Sequence, residues 1–193
     1  LFTSGSTGPA KGVVYEHGML DAQVRLIQSH YRMEPGEIDL PTFPLFGLFS
    51  VAMGMTVVIP EMDASHPGKA DPAKIVQAIT AYGATNTFGS PALWRRVAGH
   101  CAERSIKLPS LRRILIAGAP VPFSVIEQLH QALSPSADVF TPYGATEALP
   151  VTSISGREVA AVRGGMRIDR DRRSPRSRGT CVGAPFDEID ITI

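Results

Sequence analysis

Short apolar runs and helical stripes alternate through the middle of the chain. The apolar runs lie near residues 38–42, 56–59, 85–88, 114–117 and 139–143, each of strand length. Between them, Ile75, Val76 and Ile79 mark one apolar helix face. Leu93, Val97 and Cys101 mark a second, and Ile126, Leu129 and Leu133 a third. Two of these helices have strong start signals, Asp71-Pro72 and Ser90-Pro91, a capping side chain followed by proline at the first helical position. Pro122-Phe123 opens the last. From Thr85 onward the strands recur about every 27 residues, the size of a strand–helix–strand repeat. The pattern predicts an α/β fold with a mainly parallel sheet, flanked by helices on both faces.

One stretch interrupts this rhythm. Residues 40–60 carry no charge, a length that can cross a bilayer. Pro41, Pro44, Gly47, Gly54 and Pro60 punctuate it, and its end, Met55-Thr56-Val57-Val58-Ile59, is β-branched like a buried strand. The expectation is a loop, a short buried helix and a strand, with no transmembrane span.

Composition narrows the classes. The chain has 193 residues, 44% hydrophobic and 19% charged, as a globular domain or part of one does. It opens directly on a binding-type loop, so we expect an N-terminal part of the domain to precede it. A net charge of +1 supplies no global attraction to nucleic acid or to an anionic membrane. Cys101 and Cys181 are two distant cysteines, which points to a reducing cytoplasm rather than a disulfide framework.

The chemistry is concentrated in residues 2–12. Thr3, Ser4, Gly5, Ser6, Thr7 and Gly8 carry only hydroxyls or hydrogens, and Lys11 follows as a fixed cation before an apolar strand, Val13-Val14-Tyr15. Backbone N–H groups, hydroxyls and one lysine suit a polyphosphate. A flexible Gly/Ser linker is the bland alternative. The order differs from the common phosphate loop, because Lys11 sits between Ala10 and Gly12.

Three further loops follow predicted strands. They are Gly89-Ser90-Pro91, Gly118-Ala119-Pro120, and the run from Pro142 to Glu147. In open α/β sheets, ligands bind beyond the carboxyl ends of the strands, where these loops fall. In the last of them, the Tyr143 ring can stack on a base or pack in the core. Thr146 can donate to a phosphate oxygen or cap the next segment. Glu147 alone reads as a solvated carboxylate; beside a phosphate loop, Mg²⁺ ligation becomes the stronger reading. The five histidines are scattered and read as surface or capping residues. Lys107, Arg112 and Arg113 read as solvent-facing, and Trp94-Arg95-Arg96 as a buried ring with two exposed cations.

These motifs together resemble the adenylate-forming superfamily, which includes acyl-CoA synthetases, luciferases and peptide-synthetase adenylation domains. Residues 3–12 are similar to its signature loop, Tyr143-Gly144-Ala145-Thr146-Glu147 to its second signature, and Ala117-Gly118-Ala119-Pro120 to its adenine-side loop. The resemblance covers residues 1–155 and 179–193. It implies that residues 3–11 wrap the β- and γ-phosphates of ATP, and that Gly118, Ala119, Pro120 and Tyr143 flank adenine. It further implies that Thr146 contacts phosphate and Glu147 binds Mg²⁺. Lys11, Thr146 and Glu147 would then be catalytic.

A narrower likeness lies in Leu40-Pro-Thr-Phe-Pro-Leu-Phe-Gly-Leu48, Pro60-Glu-Met-Asp63 and residues 141–150. These resemble bacterial olefin-biosynthesis synthetases that close a long-chain β-hydroxy acid to a β-lactone. The resemblance implies a fatty or β-hydroxy fatty acid substrate, an acyl pocket at Phe43, Pro44, Phe46, Gly47, Gly89 and Ser90, and other olefin-pathway enzymes as partners. Pro44 stands where many acyl-CoA synthetases have histidine, which counts against thioester formation. Pro9 precedes Ala10 rather than the lysine directly, another departure.

On this reading, residues 1–155 are the ATP-binding core, the central part of a large N-terminal domain, and 179–193 begin a β-rich subdomain. The ribose-binding Thr-Gly-Asp motif and the small lysine-bearing C-terminal domain of the family have no match in the sequence. Between the two parts, 156–178 read as an Arg-rich loop. Its residues 163–178 hold seven arginines and two aspartates with no aromatic residue for base stacking, so a solvated loop is favoured over a nucleic-acid arm. A shift of reading frame is a third explanation, because family-like sequence resumes at Gly179.

Overall fold

The computed structural model describes residue 9, residues 11–165 and residues 180–192. The Thr3 to Gly8 loop and most of the Arg-rich run lie outside the described residues. The chain forms helix α1 (His17–Tyr31), strand β1 (Ile38–Pro41), a 3₁₀ turn (Pro44–Phe46), α2 (Gly47–Ala52) and β2 (Thr56–Val57). After a second 3₁₀ turn come α3 (Pro72–Tyr82), β3 (Asn86–Gly89), α4 (Pro91–Arg104), β4 (Arg113–Ile116), α5 (Phe123–Ala132) and β5 (Asp138–Phe140). The chain ends with β6 (Tyr143–Ala145), β7 (Ala148–Ser153), α6 (Gly156–Gly165) and β8 (Ala184–Pro185).

The first five strands make one sheet in the order β2-β1-β3-β4-β5, and every described pairing in it is parallel. This is the α/β architecture the periodicity predicts. Asp71 and Ser90 cap α3 and α4 as expected, accepting from the Ala73 and Leu93 N–H groups. Alternate residues of the strands feed two cores. Ile114 and Ile116 join Leu40, Val139 and the apolar faces of α3, α4 and α5. Leu115 faces the other way, toward Tyr31, Met33, Met53 and Met55, with Phe49, Phe88 and Phe140 against them.

Four expectations are corrected. Residues 13–15 are not a strand: only an isolated bridge forms, at Gly12, and Val14 is 83% exposed. Without a burying neighbour, β-branched residues there gain nothing from a ladder. The short helix in the uncharged stretch is not buried, since Leu48 and Val51 of α2 face outward. Among the described residues no helix is long and apolar enough to cross a membrane. Residues 156–165, expected as loop, are helix α6. Arg113 is not solvent-facing. Its guanidinium reaches the buried carboxylate of Glu37 at 2.8 Å and the Asn86 side chain at 2.7 Å. Burial pushes Glu37 up, but hydrogen bonds from Arg113, Asn86 and Thr85 together outweigh it and leave that carboxyl below its usual value.

Beyond β5 the chain leaves the parallel sheet. Pro142 has no N–H to continue a ladder, and β6 and β7 fold into an antiparallel hairpin to which β8 adds. The Tyr143 to Glu147 motif is therefore a strand and a tight turn, not the loop expected from the sequence. Gly144 permits it, since a Cβ there would lie 2.8 Å from the Ala148 carbonyl oxygen. His130 is another correction. It is not a lone surface residue but pairs with Asp138 at 2.6 Å, tying α5 to β5, and Arg157 of α6 approaches the same carboxylate at 3.5 Å.

Candidate active site

The carboxyl ends of β1, β3 and β4, the hairpin and the limb after the first loop all open on one cavity of about 2610 Å³. Single-ligand pockets run roughly 300–1,000 Å³, so this one has room for two ligand groups side by side. Three places in the chain contribute the lining that the sequence singled out for nucleotide binding. Lys11 comes from the N-terminal limb, Gly118, Ala119 and Pro120 follow β4, and Tyr143 to Glu147 form the hairpin. Gly118 has φ +93°, a conformation L side chains rarely adopt, and a Cβ there would meet nothing within 4 Å. Backbone conformation and open space, not crowding, put glycine at this point, and a flat ligand can lie against it.

Tyr143 is 55% exposed, so it does not pack in the core and its ring is available for stacking. Glu147 is exposed at the turn between β6 and β7. Among the described residues no group of three or more histidine, cysteine or acidic side chains is placed to hold a metal. The exposed Glu147 carboxylate is a hard oxygen donor of the kind that can hold Mg²⁺ together with phosphate oxygens.

Another part of the lining is an aromatic cluster. Phe46 stacks on Phe88 with ring centres 3.8 Å apart, and Phe43 and Phe49 flank Phe46 at 5.7 and 5.8 Å. Phe43, Phe46 and Ser90 line the space, whereas Pro44, Gly47 and Gly89 do not. Gly47 is buried against Val57 and Pro41, and Gly89 against Thr42 and Trp94. The Ser90 hydroxyl is engaged as the cap of α4.

Among the polar residues lining the cavity, Asp39 and Tyr15 were not singled out by the sequence. Asp39 is buried on β1, where burial raises its carboxyl to about 6 against hydrogen bonds from Ser50 and the Leu40 backbone. Tyr15, expected as strand filler, sends its hydroxyl to the Thr146 carbonyl at 2.5 Å. Asp39 was detectable as a lone charge at the edge of an apolar run. The Tyr15 contact joins residues 131 apart and left no local signal.

An α/β sheet whose strand ends share a cleft with a small hairpin defines a ligand-binding protein of the open-sheet class. The chain belongs to the AMP-binding enzyme family, which matches residues 1–193. It is 46% identical over its whole length to olefin β-lactone synthetases of Stenotrophomonas maltophilia and Xanthomonas campestris, covering 33% of each. The chain thus spans about a third of the length of these curated relatives. It is also similar in fold to o-succinylbenzoate coenzyme A synthetase of Bacillus subtilis, solved with ATP and magnesium. There the TM-score is 0.70 at 22% identity, over 97% of this chain and 35% of that one.

Proposed function

We propose that the chain is the nucleotide- and acyl-binding core of an AMP-forming ligase that activates a long-chain β-hydroxy acid and closes it to a β-lactone. The observation that carries this reading is one cavity lined both by Lys11, Gly118 and the Thr146–Glu147 turn and by a phenylalanine cluster. A substrate carboxylate oxygen attacks the α-phosphorus of ATP, and pyrophosphate leaves. Lys11, with Thr3 to Gly8, holds the β- and γ-phosphates, and Thr146 steadies a phosphate oxygen. Gly118, Ala119, Pro120 and Tyr143 flank the adenine. Mg²⁺, held by Glu147 and the phosphates, would supply charge neutralisation on the leaving group.

Phe43 and Phe46 take the acyl chain, which sets the acid against the nucleotide. Lactone closure follows when the β-hydroxyl oxygen attacks the acyl-adenylate carbonyl. The hydroxyl proton passes to solvent and AMP leaves. Both reacting groups belong to one molecule, so proximity favours this step and no thiol is required. The domain division goes with this reading: 1–155 as core, 179–193 as the start of a β-rich part. A cytoplasmic setting fits the unpaired Cys101 and Cys181.

The second reading is a long-chain fatty acyl-CoA synthetase. It is favoured by 28% identity over 153 residues to a long-chain-fatty-acid–CoA ligase of Thermus thermophilus, covering 78% of this chain and 28% of that protein. Incubating the complete protein with ATP, Mg²⁺ and a β-hydroxy fatty acid, with and without CoA, separates the two. Lactone formed without CoA supports our reading; product only with CoA contradicts it.

A further inference from the structure

The segment leaving the first loop is tied to the second signature by a directed pair of hydrogen bonds. The Tyr15 hydroxyl donates to the Thr146 carbonyl at 2.5 Å. The Gln23 amide Nε2 of α1 donates to the Tyr15 oxygen at 3.2 Å. Gln23 is 6% exposed, and its Oε1 is buried without a hydrogen-bond partner.

The polarity of this relay is fixed by proton counting. A phenol has one proton to give. If Gln23 turned Oε1 toward Tyr15, that oxygen and the Thr146 carbonyl would compete for it. The amide therefore presents Nε2, leaves Oε1 unpartnered at a cost, and commits the phenolic proton to Thr146. In series, the two bonds polarise and strengthen each other.

The geometry points to Tyr15 as a positioning residue. It lies four positions after Lys11 and lines the same cavity as Thr146 and Glu147. By holding the Thr146 backbone, it fixes the turn bearing Glu147 relative to the limb bearing Lys11. The two arms that grip the pyrophosphate side of the ligand thereby keep one spacing. This inference rests on the proposed function for its consequence, and on the hydrogen bonds alone for the tie itself.

The test is Tyr15→Phe in the complete protein, with two readouts. In acid-dependent exchange of labelled pyrophosphate into ATP, half-saturation for Mg²⁺ should rise about three- to tenfold, the worth of one hydrogen bond. The KM for the acid should stay the same. A Tyr15 that served only stability would lower the melting temperature and the active fraction while leaving Mg²⁺ half-saturation unmoved, and that result overturns the proposal. In a Glu147→Gln background the added effect of Tyr15→Phe on Mg²⁺ should vanish; full additivity contradicts it. Amide hydrogen exchange of residues 143–147 without ligand is the second readout. It should accelerate in Tyr15→Phe whether or not the protein is a ligase. If wild type shows no pyrophosphate exchange, the proposed function fails, and the amide measurement still decides the tie: unchanged protection there overturns it.

Discussion

The Ser50 hydroxyl of α2 donates to the buried carboxylate of Asp39 on β1 at 2.6 Å. This bond fastens the short helix that follows the Phe43 and Phe46 turn to the sheet, so the apolar wall of the cavity hangs on a polar anchor. Asp39 has its carboxyl raised to about 6, chiefly by burial.

A raised folded-state value means that protonated Asp39 is favoured in the folded protein. Its contribution is fully present below the unfolded value, near 3.9, and is lost as pH rises through about 6. The resulting loss is on the order of 3 kcal/mol by neutral pH. Asp39→Asn should therefore flatten the pH dependence of the melting temperature across this window and stabilise the protein at neutral pH. Thermal unfolding at several pH values checks this; parallel curves for variant and wild type would count against it.

Arg113 and Glu37 make the opposite kind of anchor, at the amino ends of the strands. Side-chain exposures of 13% and 6% put both out of solvent. Replacing Arg113 by Met leaves Glu37 buried with less to hold its charge, a loss of about 3–5 kcal/mol. Changing Glu37→Gln as well should recover most of it. Glu37 is held below its usual value, so its stabilising share is present above about pH 4.5 and lost as pH falls. Denaturant unfolding of the single and double variants measures the coupling. Strictly additive losses would show that the pair does not act as a unit.

On the proposed function, Lys11 and Glu147 hold opposite sides of the polyphosphate, and their variants should fail differently. Lys11→Ala should cost about 1.5–3 kcal/mol, as hydrogen bonds to charged groups do, or roughly 10- to 100-fold in kcat/KM for ATP. Glu147→Gln should raise the Mg²⁺ concentration needed with a smaller change in ATP affinity at saturating metal. Titrations of ATP and Mg²⁺ in the complete protein check both, and unchanged curves would remove these roles.

The sheet was legible in the sequence because its strands are short apolar runs separated by capped helices. Asp71-Pro72 and Ser90-Pro91 announce α3 and α4, and both caps form. Local chemistry also marked Gly118 and the 143–147 motif as loop-edge features. Which residues pair with which, near or far, was not legible. The hairpin depends on Ala148 returning over Gly144, Arg113 on meeting Glu37 from 76 residues away, and Tyr15 on reaching Thr146. In each case a residue that reads as exposed or apolar acquires its role from a partner that the local pattern cannot name. The same limit applies to Pro44, Gly47 and Gly89. The family resemblance marked them for the acyl pocket, but none of the three lines the cavity.

On the proposed function, this cavity activates a carboxylate through ATP without a thiol. The most direct measurement is exchange of labelled pyrophosphate into ATP by the complete protein, with Mg²⁺ and a long-chain β-hydroxy acid and with CoA left out. Exchange should require the acid and fall sharply in Lys11→Ala. Exchange that ignores the acid, or none at all until CoA is added, would contradict the proposed function.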